Sequence, residues 1–236
     1  MNINTNKILE KYNETILIIV SHTDDETLAM GGTIAKHINS GDKVYAISMT
    51  DGLSARNNAT NSEIRERFNA SEKAAEILGF KWIKKGNFPD NQIDSIPLIN
   101  IIKFIEEVKS QINPSIIYTH SSADLNIDHQ LVSKAVLTSF RPQLNETWKE
   151  IRLFEIPSST DYGHRAVTNI FTPNLYINIE ETWELKLKAL KSYDAEMKVY
   201  PNSRSYIGLE NLSKYRGNQV GLKFAESFEI LRKIIR

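Results

Sequence analysis

The chain has 236 residues, 29 basic and 29 acidic, and no cysteine. Balanced charge argues against a polyanion-binding surface and a nucleic-acid role, and any metal must be held by His, Asp or Glu because no thiolate is available. The polar start before Thr15 lacks a signal-peptide core, and no stretch approaches the roughly 20 apolar residues that span a bilayer, so a soluble, cytoplasmic protein without membrane insertion is expected.

In chain order, the apolar run at residues 16–20 predicts a buried strand. A helix follows over residues 27–40, with Gly41 placed to end it. Residues 43–49 read as a second strand, and residues 51–61, rich in Asn, Ser and Gly, as a loop of the kind found at active sites. A helix over 63–78 carries Ile64, Phe68, Ala75 and Leu78 near one face. A short strand at 81–83 and a helix over 96–110 precede Pro114 and a strand at 115–119. Residues 128–140 read as a helix, and 151–155 and 175–179 as strands separated by a polar stretch at 157–173. Helices at 180–193 and 225–235 close the prediction. Strands and helices alternate over the first 140 residues. The expected fold is therefore α/β: a Rossmann-like, mostly parallel sheet flanked by helices, in one domain spanning residues 1–236. The pattern G-x-G-x-x-G is missing, so the sheet is not expected to hold a dinucleotide.

Two clusters at strand ends carry chemistry. Ser21-His22-Thr23-Asp24-Asp25-Glu26 follows the first strand, and Asp124-Leu125-Asn126-Ile127-Asp128-His129 lies just beyond the strand at 115–119. Strand ends of this kind are where open α/β sheets bind ligands. His22 and Asp25 can reach one ion together, and His129 completes a three-ligand, open zinc site. Two histidines and a carboxylate also suit ferrous iron. Asp24 is then left as a general base for a zinc-bound water, and Asp128 as a carboxylate that orients an imidazole. The competing explanation is structural, since Asp24 or Asp25 can equally serve as the N-cap of the following helix. His120, at the end of a strand, either points into the site or is a hydrogen-bonded strand-end histidine, and it is not counted as a ligand. His37 is expected to be peripheral.

These residues, with Gly31-Gly32, Thr50-Asp51-Gly52, Leu78-Gly79, Phe88-Pro89-Asp90, Arg216-Gly217 and Ala225-Glu226-Ser227-Phe228, resemble the PIG-L/LmbE-like family of zinc-dependent N-acetylglucosaminyl deacetylases over nearly the whole chain. The usual first motif there is Ala-His-Pro-Asp-Asp-Glu. The resemblance implies removal of an N-acetyl group from an amino sugar, within a glycoconjugate, a nucleotide sugar or a polysaccharide precursor. It also implies sugar contacts by Arg67 and Asp90, and a pocket wall built by Arg216. Ring-like oligomers are common in the family, and apolar residues near Trp148, Phe171 and Trp183 are the candidates for a homo-oligomer interface.

Departures from the family pattern fall at Asn126, where relatives carry a histidine, at Ala70, where they carry a glutamate, and at Asn202, in a loop that otherwise matches. Asn126 donates a hydrogen bond but cannot carry a proton. Either Asp24 makes both proton transfers or another histidine substitutes, and His164 is the candidate. Spacing gives Arg204 no support as a substrate residue. A zinc hydrolase of another N-acyl or ester substrate, and a non-catalytic sugar-binding protein, are the alternative functions.

Overall fold

The computed structural model describes residues 13–50, 52 and 60–235. The apolar run forms β1 (Thr15–Val20), buried on both faces as a strand covered by helices on two sides must be. α1 (Asp25–Asn39) leads into β2 (Lys43–Thr50), parallel to β1 with Ile16 opposite Val44. α2 (Asn61–Leu78) opens with a reciprocal capping box between Thr60 and Glu63 and ends on left-handed Gly79. β3 (Lys81–Phe88), α3 (Leu98–Ile112), β4 (Ile116–His120), α4 (Ile127–Ser139) and β5 (Glu150–Phe154) continue the alternation. The chain then runs through β6 (Leu175–Asn178), α5 (Trp183–Leu190), α6 (Tyr206–Asn218) and β7 (Ala225–Lys233).

The sheet order is β3-β2-β1-β4-β5-β7-β6, with β1 to β5 parallel and β7 antiparallel to both its neighbours. Alternate residues of β1 feed two cores. Ile16, Ile18 and Val20 pack with Met30, Ile34 and Leu78, whereas Leu17 and Ile19 pack with Ile101, Ile105 and Val136. Strand order reverses between β1 and β4, and both clusters noted above follow those two strands, where such sheets open a crevice.

The expected α/β sheet is present, with corrections at its second half. Residues 225–233 form β7 and not a helix. Ala225 to Phe228 are buried at four successive positions because the strand is flanked on both edges and both faces, which removes the alternation that marks a strand in sequence. α6 follows the Tyr200–Ser205 loop without having been expected, and the predicted helix at 180–193 is α only over Trp183–Leu190, with 3-10 turns on either side. β3 runs five residues further than its apolar core. Trp148 and Trp183 are buried, whereas Phe171 is half-buried. Most of the loop expected at 51–61, Arg56 included, and the polar start through residue 12 lie outside the described residues. Among the described residues no helix is long and apolar enough to cross a membrane.

α1 breaks at Met30, whose φ is −144°. The break orphans backbone groups inside the protein. The Glu226 carboxylate accepts from Gly32 N (3.0 Å) and Thr33 N (2.7 Å), and Lys186 Nζ donates to Leu28 O (2.9 Å) and Glu226 (2.6 Å). Gly32 has no room for a side chain, since a Cβ there would stand 2.8 Å from Ile179. One buried ion pair thus splices α1, α5 and β7. Glu226→Ala leaves Lys186 charged and unpaired, and is expected to lose about 3–5 kcal/mol of stability in urea unfolding.

Candidate metal centre and its cleft

β1 ends at Val20, and the turn into α1 delivers His22, Asp24 and Asp25 to the C-terminal edge of the sheet. β4 ends at His120, and the first turn of α4 delivers His129. His22 Nδ1 lies 3.2 Å from His129 Nε2 and 3.3 Å from Asp25 Oδ2, and the third side of the triangle is 3.5 Å. Four ligands about 2.1 Å from one ion in tetrahedral geometry stand about 3.4 Å apart. The three buried donors fit such an ion, and their chemistry suits zinc or ferrous iron.

The far nitrogen of each imidazole faces a carboxylate, which sets ring orientation and tautomer. His129 Nδ1 is 3.0 Å from Asp124, and His22 Nε2 is 3.0 Å from Asp90 and 3.4 Å from Asp128. Asp128 therefore serves His22, not its chain neighbour His129. Its two oxygens also accept from Asn91 N (2.7 Å) and Ile93 N (3.1 Å), which holds the loop bearing Asp90. Asp124 accepts from Ser159, Thr160 (2.6 Å) and Asn126 N (2.8 Å). His120 is not a ligand. Its Nε2 accepts from Ser21 N (2.9 Å), and its ring stacks on His129 at 4.0 Å. Burial, with His129 adding to it, keeps His120 well below the ordinary histidine value, as an acceptor nitrogen requires.

Charge dominates the electrostatics. Burial alone would lower His22, but Asp128, Asp25 and Asp90 outweigh it and hold its pKa well above normal. Burial would raise Asp25, but His129, His22 and His120 hold it well below the usual carboxylate range. Asp24 is pushed up by burial and by Asp25, against the pull of Arg67 and Arg204. Its backbone has φ +140°, a conformation that costs about 1–3 kcal/mol for a residue with a side chain. Glu26 helps to hold that conformation, since its carboxylate accepts Asp24 N at 3.0 Å while Tyr193 and Thr27 donate to its other oxygen. Burial pushes Glu26 up to about 7.

A cleft of about 370 Å³ opens over the triangle, lined by His22, Asp24, Arg67, Asn126, Glu196 and Arg204 among others. Arg67 is buried and spans Asp24 Oδ1 (3.0 Å) and Glu196 (2.7 Å). Gly52 gives it room, since a Cβ there would stand 2.6 Å from Arg67 Nε. Asp90 and Asn126 line the same cleft. Asn126 is the N-cap of α4, accepting from Asp128 N and His129 N, and its Nδ2 donates to Asn91.

Two candidates fall elsewhere. His164 is exposed, and its Nδ1 accepts from Ala166 N in its own turn. Arg216 forms a two-pronged ion pair with Glu155 (2.8 and 2.7 Å) that ties α6 to the sheet, so it builds no wall of this cleft. Sequence reasoning passed over Asp124 and Glu196, and placed Arg204 in a family-like loop without support from spacing for a substrate role. Asp124 had a signal in its place five residues before His129. Glu196 is brought in by a distant segment and had none, whereas Arg204 had the family-like loop at residues 200–205.

His22, Asp25 and His129 form a buried triangle that could hold one metal ion at the switch point of a parallel sheet, with the Asp24 carboxylate, paired to Arg67, at its rim. Residues 17–140 match the family described as PIG-L, GlcNAc-PI de-N-acetylase, and the chain belongs to that family. It is 26% identical to the diacetylchitobiose deacetylase of Thermococcus kodakarensis, over 95% of this chain and 86% of that protein. It is 29% identical to YaiS of Escherichia coli, an uncharacterized deacetylase, over 75% of this chain and 89% of that one. The fold matches N,N'-diacetylchitobiose deacetylase from Pyrococcus horikoshii with a TM-score of 0.74 at 23% identity, covering 94% of this chain and 85% of that one.

Asp124→Ala frees the ring of His129, and is expected to weaken zinc binding about 10–100-fold in a competitive chelator titration. Because His22 keeps its proton above the ordinary value in the metal-free protein, zinc must displace that proton. Zinc affinity is therefore expected to rise with pH until His22 is neutral, with proton uptake by the buffer visible in calorimetry across buffers of different ionisation heat.

Proposed function

We propose that the chain is a metal-dependent N-deacetylase that hydrolyses the acetamido group of an N-acetylated amino sugar to the free amine and acetate. The observation that carries this reading is the 3.2–3.5 Å donor triangle with Asp24 at its rim, in a member of a de-N-acetylase family. His22, Asp25 and His129 would hold zinc, or ferrous iron in its place. The bound ion supplies Lewis-acid polarisation of a carbonyl and a more acidic water.

Asp24 takes the proton of the attacking water and returns it to the leaving nitrogen. Burial raises its proton affinity toward the working range of a base, while Arg67 holds one of its oxygens and restricts its rotation. With His164 outside the cleft and Asn126 uncharged, Asp24 makes both transfers. Asp90 and Arg67 are committed to His22 and to Asp24 with Glu196, so their contribution is to orient that machinery, and any sugar contact uses the edges they leave open. The deacetylase names of the relatives support an acetylated sugar as substrate.

Acetate release from a panel of N-acetylhexosamines, free, nucleotide-linked and lipid-linked, tests the reading. The zinc-loaded parent should release acetate from at least one. Asp24→Ala should keep stoichiometric zinc and lose about 10²–10⁴ in rate. No release from any compound, with zinc bound, would overturn it and point to another acyl substrate or to binding without turnover.

A further inference from the structure

Arg204 stands at the rim of the cleft beside Asp24. Its Nε donates to Ser158 Oγ (2.9 Å) and its Nη1 lies 3.4 Å from Asp24 Oδ2, leaving Nη2 without a hydrogen-bond partner among the described residues. The backbone is fixed too: Arg204 N donates to Asn202 Oδ1 (2.8 Å), and Asn202 Nδ2 reaches Tyr162 OH (3.5 Å). A half-buried guanidinium is thus held in place by a neutral hydroxyl and one long charged contact.

The other cleft groups are committed. Every guanidinium nitrogen of Arg67 is engaged, Nε with Thr23 Oγ1 (3.3 Å), Nη2 with Thr23 O (2.9 Å) and Asp24, Nη1 with Glu196. Asn126 spends its oxygen on the α4 cap and one donor on Asn91 (3.0 Å), and its amide carries no charge. Positive charge with open donor capacity is therefore concentrated at Arg204.

We propose that Arg204 is a catalytic residue, its guanidinium hydrogen-bonding the acyl group of the substrate as negative charge collects on the carbonyl oxygen. The proposal rests on the deacetylase reading. The water oxygen bonds to the carbonyl carbon, its proton passes to Asp24, and the carbonyl π pair moves onto oxygen. Collapse restores the carbonyl and breaks the carbon–nitrogen bond, whose pair goes to nitrogen, which takes the proton from Asp24. Arg204 transfers no proton, because a guanidinium stays charged at any working pH. It supplies charge to the state in which the oxygen is most negative, and this raises kcat without raising affinity for the neutral substrate.

The test uses the zinc-loaded parent chain, Arg204→Gln and Arg204→Lys, assayed for zinc stoichiometry, kcat and KM. Binding is measured in parallel for the amine product and for an analogue with a methylphosphonamidate in place of the acetamide, an anionic tetrahedral mimic. Arg204→Gln should keep its zinc, lose about 10²-fold or more in kcat with KM within about threefold, and weaken the analogue by a similar factor with the amine unaffected. Arg204→Lys should recover part of both losses. A kcat within threefold of the parent, a rise confined to KM, equal weakening of amine and analogue, or loss of zinc would each overturn the assignment. Failure of the parent itself to release acetate would instead remove the deacetylase reading beneath it.

Discussion

Buried negative charge is the constraint around which this protein is built. Asp24, Asp25, Glu26, Asp90, Asp124 and Asp128 are all buried at one edge of one sheet. Each ionised carboxylate taken out of water costs several kcal/mol unless a partner answers it. Arg67 answers Asp24 from the side of α2, and backbone N–H groups and hydroxyls answer Asp124 and Asp128. What is left over converges on two imidazoles and one carboxylate oxygen. A divalent ion held at that point would neutralise the remainder.

Precision at the triangle comes from backbone rather than from long side chains. His22 N donates to Asp25 Oδ2 at 2.9 Å, so one turn of chain sets the separation of two donors. Asp24 sits between them in a conformation few residues adopt, and its backbone N–H is pinned by Glu26. The strain turns adjacent carboxylates in different directions, one toward the imidazoles and the other toward the cleft. Stored strain of this kind is tolerated where the surrounding hydrogen bonds over-determine it.

The parallel half of the sheet and the donor triangle were legible in the sequence, because both depend on local order: an apolar run, then charged residues at its end. His22, Asp25 and His129 each follow a strand that is buried on both faces, and such strands announce themselves. β7 did not, since its first four residues are buried on every side and its apolar spacing suits a helix equally well. Arg216 and His164 were misplaced for a different reason. Their motifs are real, but a motif says nothing about which surface a loop or helix turns inward, and Glu155 claimed Arg216. Glu196 and Arg204 reach the cleft from segments more than 60 residues beyond His129, a proximity that only the tertiary fold creates.

The place of β7 has a consequence for how the chain is made. All three residues of the donor triangle are synthesised by residue 129, and β1 to β5 can pair in the order in which they emerge. β7, among the last elements in sequence, inserts between β5 and β6 rather than adding at the rim. Until it arrives, β5 keeps an unpaired edge, and Lys186 and the broken middle of α1 wait for Glu226. A chain that lacks β7 therefore carries the donor triangle on a sheet that is still open, the state in which strand edges join other chains.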